Sequence, residues 1–178
     1  MAIYYTLDRS AQCESDQIFT YEMIAPNDWL RNDDGTLMGF AVSRHGKQYL
    51  NGSLHNNPNS NNVAIEFIFE LIRRQHFPDK TTRFCCMFAA ETLEGAQAFR
   101  ATTQWNRPYK IFSIEHNGPI HRGDMNLLSS SGNMFEVERR AMAYWCGETY
   151  EMYPGYQPYW EILIPLPVRM GKIVQNIA

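Results

Sequence analysis

Apolar and polar positions change their period several times along this chain, and each change predicts an element. Residues 2–8 (Ala-Ile-Tyr-Tyr-Thr-Leu-Asp) are a short apolar and aromatic run that predicts an opening strand. Residues 20–24 predict a weak strand, and Phe40-Ala41-Val42 the start of another short element. Between them, residues 27–39 are turn-rich, tightest at Asn32-Asp33-Asp34-Gly35. Over residues 63–77 the spacing becomes helical. Val63, Phe67, Leu71 and Ile72 recur, and Ile65, Ile68 and Phe69 widen the apolar face; Arg73 and Arg74 fill the last turn and Pro78 follows. That face predicts a well-buried helix. Residues 83–89 predict a buried strand, and residues 92–104 a helix capped by Thr92 and weakened only slightly by Gly95. Residues 109–115 predict a strand entered through Pro108. After the turn at 129–133, Met134, Val137, Ala141, Tyr144 and Trp145 predict a third helix ending near Gly147. A Tyr/Pro-rich loop leads to a strand at 159–165, and residues 168–177 predict the last one.

These elements predict one α+β domain over residues 1–178. Residues 51–62 (Asn-Gly-Ser-Leu-His-Asn-Asn-Pro-Asn-Ser-Asn-Asn) cannot bury apolar surface and predict a flexible loop. Long polar loops often border sites, and a solvated connector fits equally well.

Hydrophobic residues are 44% and charged residues 20%, ordinary for a globular chain. The net charge of -3 gives no global basic field for nucleic acid, although Arg73, Arg74, Lys80 and Arg83 leave room for a local patch. No apolar run reaches membrane-spanning length, and the N-terminus has no basic segment followed by an apolar one, so a cytoplasmic location is expected. The four cysteines form no C-x-x-C pair and read as reduced thiols. No H-E-x-x-H, G-x-G-x-x-G, G-x-x-x-x-G-K or G-x-S-x-G occurs, which argues against zincin, Rossmann, P-loop and α/β-hydrolase chemistry, and no metal is expected.

One glutamate stands out. Glu161 lies inside Tyr159-Trp160-Glu161-Ile162-Leu163-Ile164-Pro165, an aromatic and branched run. An ionised carboxylate there costs free energy unless it is paired or faces a wet cleft, so Glu161 is a site candidate. An edge-strand charge that blocks aggregation is the alternative.

Three segments in order resemble the ADP-ribosyltransferase superfamily, and more narrowly a bacterial family within or near it. The first is Ile3-Tyr4-Tyr5-Thr6-Leu7-Asp8-Arg9, where relatives carry an aromatic-His pair and this chain has Tyr5 in place of the His. The second runs from Arg83 to Phe99 and looks like the strand that ends in an aromatic-Ala pair, here Phe88-Ala89, and leads into a helix. The third, Trp160-Glu161-Ile162-Leu163-Ile164-Pro165, resembles the strand of the catalytic glutamate. Gly123–Leu128 and Ala141–Gly147 add weaker matches between them.

The resemblance implies split mixed or antiparallel sheets with about three helices. It implies an NAD-dependent mono-ADP-ribosyltransferase, a glycosyltransferase that cleaves the nicotinamide–ribose bond without a metal. Glu161 would stabilise the oxocarbenium-like transition state and hold the ribose 2′-hydroxyl. Tyr5 and Phe88 would hold the nicotinamide ring, and backbone near Thr6 its amide. Arg9, or else Arg83 or Arg31, would meet the pyrophosphate. Tyr159, two residues before the glutamate, sits where relatives select the acceptor, and an aromatic there can stack on a base. RNA, DNA (as for toxins resembling DarT) or protein is then the acceptor, with a toxin, effector or phage-related role and an inhibitory partner protein as further implications. The alternatives are a non-catalytic module that binds NAD, a nucleotide or a protein, and an NAD glycohydrolase.

Plainer readings stand beside these. At least one of Tyr4 and Tyr5 should face the core, Phe88 is a residue commonly found in cores, and Arg9 and Arg83 fit surface charges. Tyr144 and Trp145 fit a helix core face better than a site, with the cleft wall as an alternative for Trp145; Asp124 and Asn126 fit a turn, and Glu94, Glu136 and Glu138 solvated helix faces.

Overall fold

The structure, a computed structural model, describes residues 1–8, 13–24, 40–50, 60–102 and 108–177. Arg9, Arg31 and the turn-rich segment at 27–39 fall outside the described residues, as do residues 51–59 of the polar loop. In chain order the elements are β1 (Ala2–Asp8), β2 (Ile18–Phe19), β3 (Glu22–Ile24), β4 (Phe40–Val42), α1 (Arg44–Leu50), α2 (Ser60–His76), β5 (Cys86–Ala89) and α3 (Leu93–Thr102). Then follow β6 (Tyr109–His116), β7 (His121–Asp124), α4 (Met134–Cys146), β8 (Trp160–Pro165), β9 (Val168–Arg169) and β10 (Ile173–Ile177). Single 3-10 turns, Arg83–Cys85 and Met125–Leu127, precede β5 and follow β7. The fold is α+β, with four α-helices among the described residues rather than about three.

Two three-stranded antiparallel sheets carry the architecture, in the orders β1-β6-β10 and β5-β8-β7. Two short pairs, β2-β9 and β3-β4, complete the strands. The large sheets meet at one point, where the backbones of Tyr5 and Ala90 exchange hydrogen bonds of 2.9 and 2.8 Å. Beside it the Thr6 hydroxyl donates to the Phe88 carbonyl at 2.7 Å.

Strand β8 is buried on both faces, which explains its unbroken Ile162-Leu163-Ile164 run. Leu163 packs with Ile65 and Phe69 of α2 and Val137, Ala141, Tyr144 and Trp145 of α4. Ile162 and Ile164 point the other way, into a layer with Phe112, Ile114, Val168 and Met170. Side chains alternate along a strand, so Glu161 shares the helix-facing side with Leu163.

Helix α4 starts and stops as its sequence dictates. Asn133 and Glu136 form a reciprocal capping box, and Gly147 ends the helix in the left-handed region at φ 78°. Met134, read as part of its apolar face, is exposed.

Several expectations are corrected. The buried face of α2 is not the one its apolar period indicates: Phe67 is 53% and Leu71 46% exposed, while Glu66 and Glu70 turn inward with Ile65 and Phe69. Residues 83–85 are a 3-10 turn rather than strand, and the strand expected over 168–177 is two, β9 and β10. Helix α1 and strand β7 were not indicated by periodicity, being too short to show one. No helix among the described residues is long and apolar enough to cross a membrane.

Candidate functional site

A cleft of about 1240 Å³ opens beside the junction of the two sheets. Its walls include Tyr5 and Thr6 from β1, His45 and Tyr49 from α1, Glu66 from α2, Arg83 and Phe88 around the start of β5, and Tyr159, Trp160 and Glu161. That volume is somewhat above the roughly 300–1,000 Å³ usual for small-molecule and cofactor sites, so a ligand of that class fits with room to spare.

Glu161 lies on the middle strand of its sheet, which removes the edge-charge reading. It is 5% exposed. One carboxylate oxygen, Oε1, accepts from the Tyr144 hydroxyl at 2.8 Å and from Nη1 of Arg83. Tyr144 reaches it because the residue paired with Glu161 on β7 is Gly123. A Cβ at Gly123 would collide with the Tyr144 ring. Arg83 is held in turn by Glu66, with Nε donating to Oε2 at 2.8 Å and Nη2 to Oε1 at 2.9 Å. Its Nη1 also donates to the Tyr144 hydroxyl at 2.7 Å. The guanidinium sits 4.7 Å from the centre of the Phe88 ring.

Two carboxylates thus share one guanidinium in a buried cluster. Burial pushes the Glu66 carboxyl up, but Arg83 and His45 outweigh it and bring Glu66 down to about 2. At Glu161 burial prevails and lifts the carboxyl above its usual range, because Arg83 and Tyr144 offset only part of it and Glu66 adds repulsion. Burial opposes the Arg83 charge, but Glu161 and Glu66 more than compensate and keep it ionised. Burial together with Glu161 holds the Tyr144 hydroxyl protonated.

The structure brings Tyr5, Thr6, Arg83, Phe88, Tyr159 and Glu161 to one cleft. It assigns some of them other work. Arg83 is buried with four donor contacts inside the protein, so it is neither a surface charge nor open to a pyrophosphate. The Thr6 hydroxyl and the Tyr5 backbone tie the two sheets together. Phe88 is half-buried, with the Arg83 guanidinium over its ring and the His45 ring edge-on at 4.5 Å. Tyr159 stacks on Phe99 at 6.3 Å and 15°, and its hydroxyl donates to the Gly95 carbonyl at 3.3 Å. Of the four residues that left room for a local basic patch, Arg73 is paired with Glu70 and Arg83 with Glu66 and Glu161.

Four contributors were not read from the sequence. His45 sits among polar neighbours with no local signature, and Glu66, between Ile65 and Phe67, interrupts an apolar helical run that was read for its apolar face alone. Tyr144 and Trp145 are core residues as expected, yet the Tyr144 hydroxyl reaches the site while the Trp145 indole donates to the Phe69 carbonyl at 2.8 Å. Asp124 is the turn residue expected, its side chain accepting from the Asn126 N–H at 3.1 Å, and it does more: it is fully buried and accepts from the Tyr156 and Thr149 hydroxyls and, at 2.8 Å, from the Tyr159 backbone N–H. It therefore anchors the loop that delivers Tyr159, Trp160 and Glu161. Across the same strands Arg122 lies 3.4 Å from the centre of the Trp160 ring.

No curated protein matches this chain. A family model described as "Protein of unknown function (DUF2441)" matches residues 6–176, nearly the whole length that forms the sheets and the cleft, and the chain belongs to that family.

Proposed function

We propose that this protein is an NAD-dependent mono-ADP-ribosyltransferase. One observation carries the reading: a buried carboxylate, Glu161, stands in a cleft of cofactor size and is oriented by a guanidinium and a phenol without being fully neutralised. Cleavage of the nicotinamide–ribose bond builds positive charge on the ribose. A fixed carboxylate in a buried cluster of two carboxylates and one guanidinium favours that charge where it develops. In the ionised form Glu161 also accepts from a ribose hydroxyl. Phe88, Tyr49 and Tyr5 offer aromatic faces and edges along the same wall for the nicotinamide. Arg83 positions Glu161, and Arg44, exposed and lining the cleft, takes the pyrophosphate role in this reading. The acceptor is RNA, DNA or protein.

The test is incubation of the full chain with NAD labelled in the adenylate, alone and with RNA, DNA and cell protein, with Glu161→Gln as control. Label transferred to a macromolecule by the wild type and not by the variant supports the transferase and identifies the acceptor class. Free ADP-ribose as the sole product would instead indicate an NAD glycohydrolase. A second reading, a nucleotide-binding module without turnover, is favoured by the depth at which Glu161 is already paired. NAD binding without nicotinamide release would support it.

A further inference from the structure

We propose that His45 is the general base that takes the proton from the acceptor, and that the acceptor group is a hydroxyl. The proposal rests on the transferase reading above and adds the residue that would activate its second substrate.

Helix α1 is pressed against the 3-10 turn that carries Arg83. A Cβ at Gly46 would collide with the Phe84 carbonyl, the Ser43 N–H donates to that carbonyl at 2.7 Å, and the Gly46 N–H donates to the Ser43 hydroxyl at 3.0 Å. This docking fixes His45 in the cleft wall, where its ring contacts Tyr49 and Phe88, both at 4.5 Å between centres. Its Nε2 is buried, makes no hydrogen bond among the described residues, and lies 3.6 Å from Oε1 of Glu66. A carboxylate on that side favours the tautomer with the proton on Nε2. The lone pair is then on Nδ1, as a general base requires.

Glu66 grips Arg83 with both oxygens, and Arg83 grips Glu161. One guanidinium therefore links the carboxylate that favours the ribose cation to the carboxylate beside the base. A hydroxyl is the acceptor that such a base serves. A carboxylate is already ionised, and a guanidinium is too basic to yield its proton to imidazole.

In the step, the acceptor O–H gives its proton to Nδ1 of His45 as its oxygen bonds to ribose C1′. The C1′–N bond breaks, and its electron pair goes to the nicotinamide nitrogen, which loses its positive charge. The proton then passes to solvent. Among the described residues, the charged and titratable groups around His45 are Glu66 on α2, Arg83 on the 3-10 turn, and Tyr49, Arg44 and Lys47 on its own helix; Lys47 is paired with Glu22 at 2.8 Å.

The experiment uses the full chain as wild type, His45→Gln and Glu161→Gln, with NAD, methanol as the hydroxyl probe, and sodium azide as a nucleophile that needs no deprotonation. Nicotinamide release and products are followed by mass spectrometry across pH, and folding by circular dichroism, with His45→Asn as a second variant if His45→Gln melts early. The expected result is a loss of methyl ADP-ribose formation of about 10²–10⁴-fold in His45→Gln, with a flattened acid limb of the pH profile. Azide should restore nicotinamide release in that variant, giving ADP-ribosyl azide, and should not restore Glu161→Gln. A folded His45 variant with wild-type rate and pH profile, or one that azide does not rescue, overturns the role of His45 alone. A wild type that releases no nicotinamide overturns the transferase reading and this inference with it.

Discussion

Glu66 and Glu70 sit one turn apart on α2, both turned inward and both nearly fully buried, yet their surroundings are opposite. Glu70 accepts from Arg73 through Nε and Nη2, from Arg74 Nε and from the Thr82 hydroxyl, all within 2.9 Å. That is one carboxylate for two guanidinium groups. Glu66 shares a single guanidinium with Glu161, two carboxylates to one guanidinium, with the His45 ring 3.6 Å from Glu66. Glu66 and Glu161 line the cleft, and Glu70 does not belong to its walls. Burial and pairing alone therefore do not mark a site, because both nodes have them. What separates them is a ratio of two carboxylates to one guanidinium with access to a cavity, an arrangement that costs stability and that a structural role does not require.

The comparison breaks most visibly at its cations. Replacing Arg83 with Met strands two buried carboxylates and should cost about 3–5 kcal/mol. Replacing Arg73 with Met leaves Glu70 its bonds to Arg74 and Thr82 and should cost about 1–2 kcal/mol. Urea titrations of the two variants measure the difference, and equal losses would mean that the nodes are equivalent.

Acid tests the neighbourhood of the anionic node. His121 packs against Tyr144 and Trp145, and burial, aided by Lys80, lowers it from 6.5 to about 4. The folded state thus binds this proton less readily than the unfolded chain. The stability it contributes is complete above pH 6.5 and is lost as pH falls through about 4, by about 3 kcal/mol. Glu66, lowered from 4.5 to about 2, adds a further loss over that lower range. A His121→Leu variant should remove the upper part of the acid limb in a pH series of thermal melts and leave the lower part.

A smaller and more pointed contrast comes from neutralising each carboxylate. Glu70→Gln deprives two guanidinium groups of their counter-charge and should cost about 1–3 kcal/mol. Glu161→Gln removes one of the two carboxylates while the amide oxygen can still accept from Tyr144 and Arg83. Because Glu161 titrates above its ordinary value in the folded state, its stabilisation is present at low pH and lost as pH rises through the folded pKa. The variant should therefore lie within about 1 kcal/mol of wild type at neutral pH, on the stabilising side. Differential scanning fluorimetry at pH 7 would distinguish these opposite signs, and a large loss in Glu161→Gln would assign that carboxylate a structural role.

How far the sequence disclosed this site depends on what kind of pattern each residue interrupts. Glu161 was legible because a charge interrupts a run of branched and aromatic residues, and strand β8 proves central. The strand at residues 2–8 and the helix with Asn133 and Gly147 at its ends were legible because their apolar spacing and caps agree. Glu66 and Glu70 were not, because an inward carboxylate on a helix reads as a polar-face position; it drew the apparent apolar face toward Phe67 and Leu71, which are exposed. Arg83 was picked out, but its partners lie 17 and 78 residues away, and no local signal places them. Tyr144 carries two roles on one side chain, a ring in the core and a hydroxyl at Glu161, and periodicity reports only the first. His45 belongs to a seven-residue helix, too short to show a period.

The most direct test of the central claim, that the anion-rich node is the functional one, is nicotinamide release from NAD by wild type, Glu161→Gln and Glu70→Gln under one set of conditions. Wild type and folded Glu70→Gln should release nicotinamide, and Glu161→Gln, with its fold intact, should release it at least about 10²-fold more slowly. No release by the wild type, or equal release by wild type and Glu161→Gln, would contradict it.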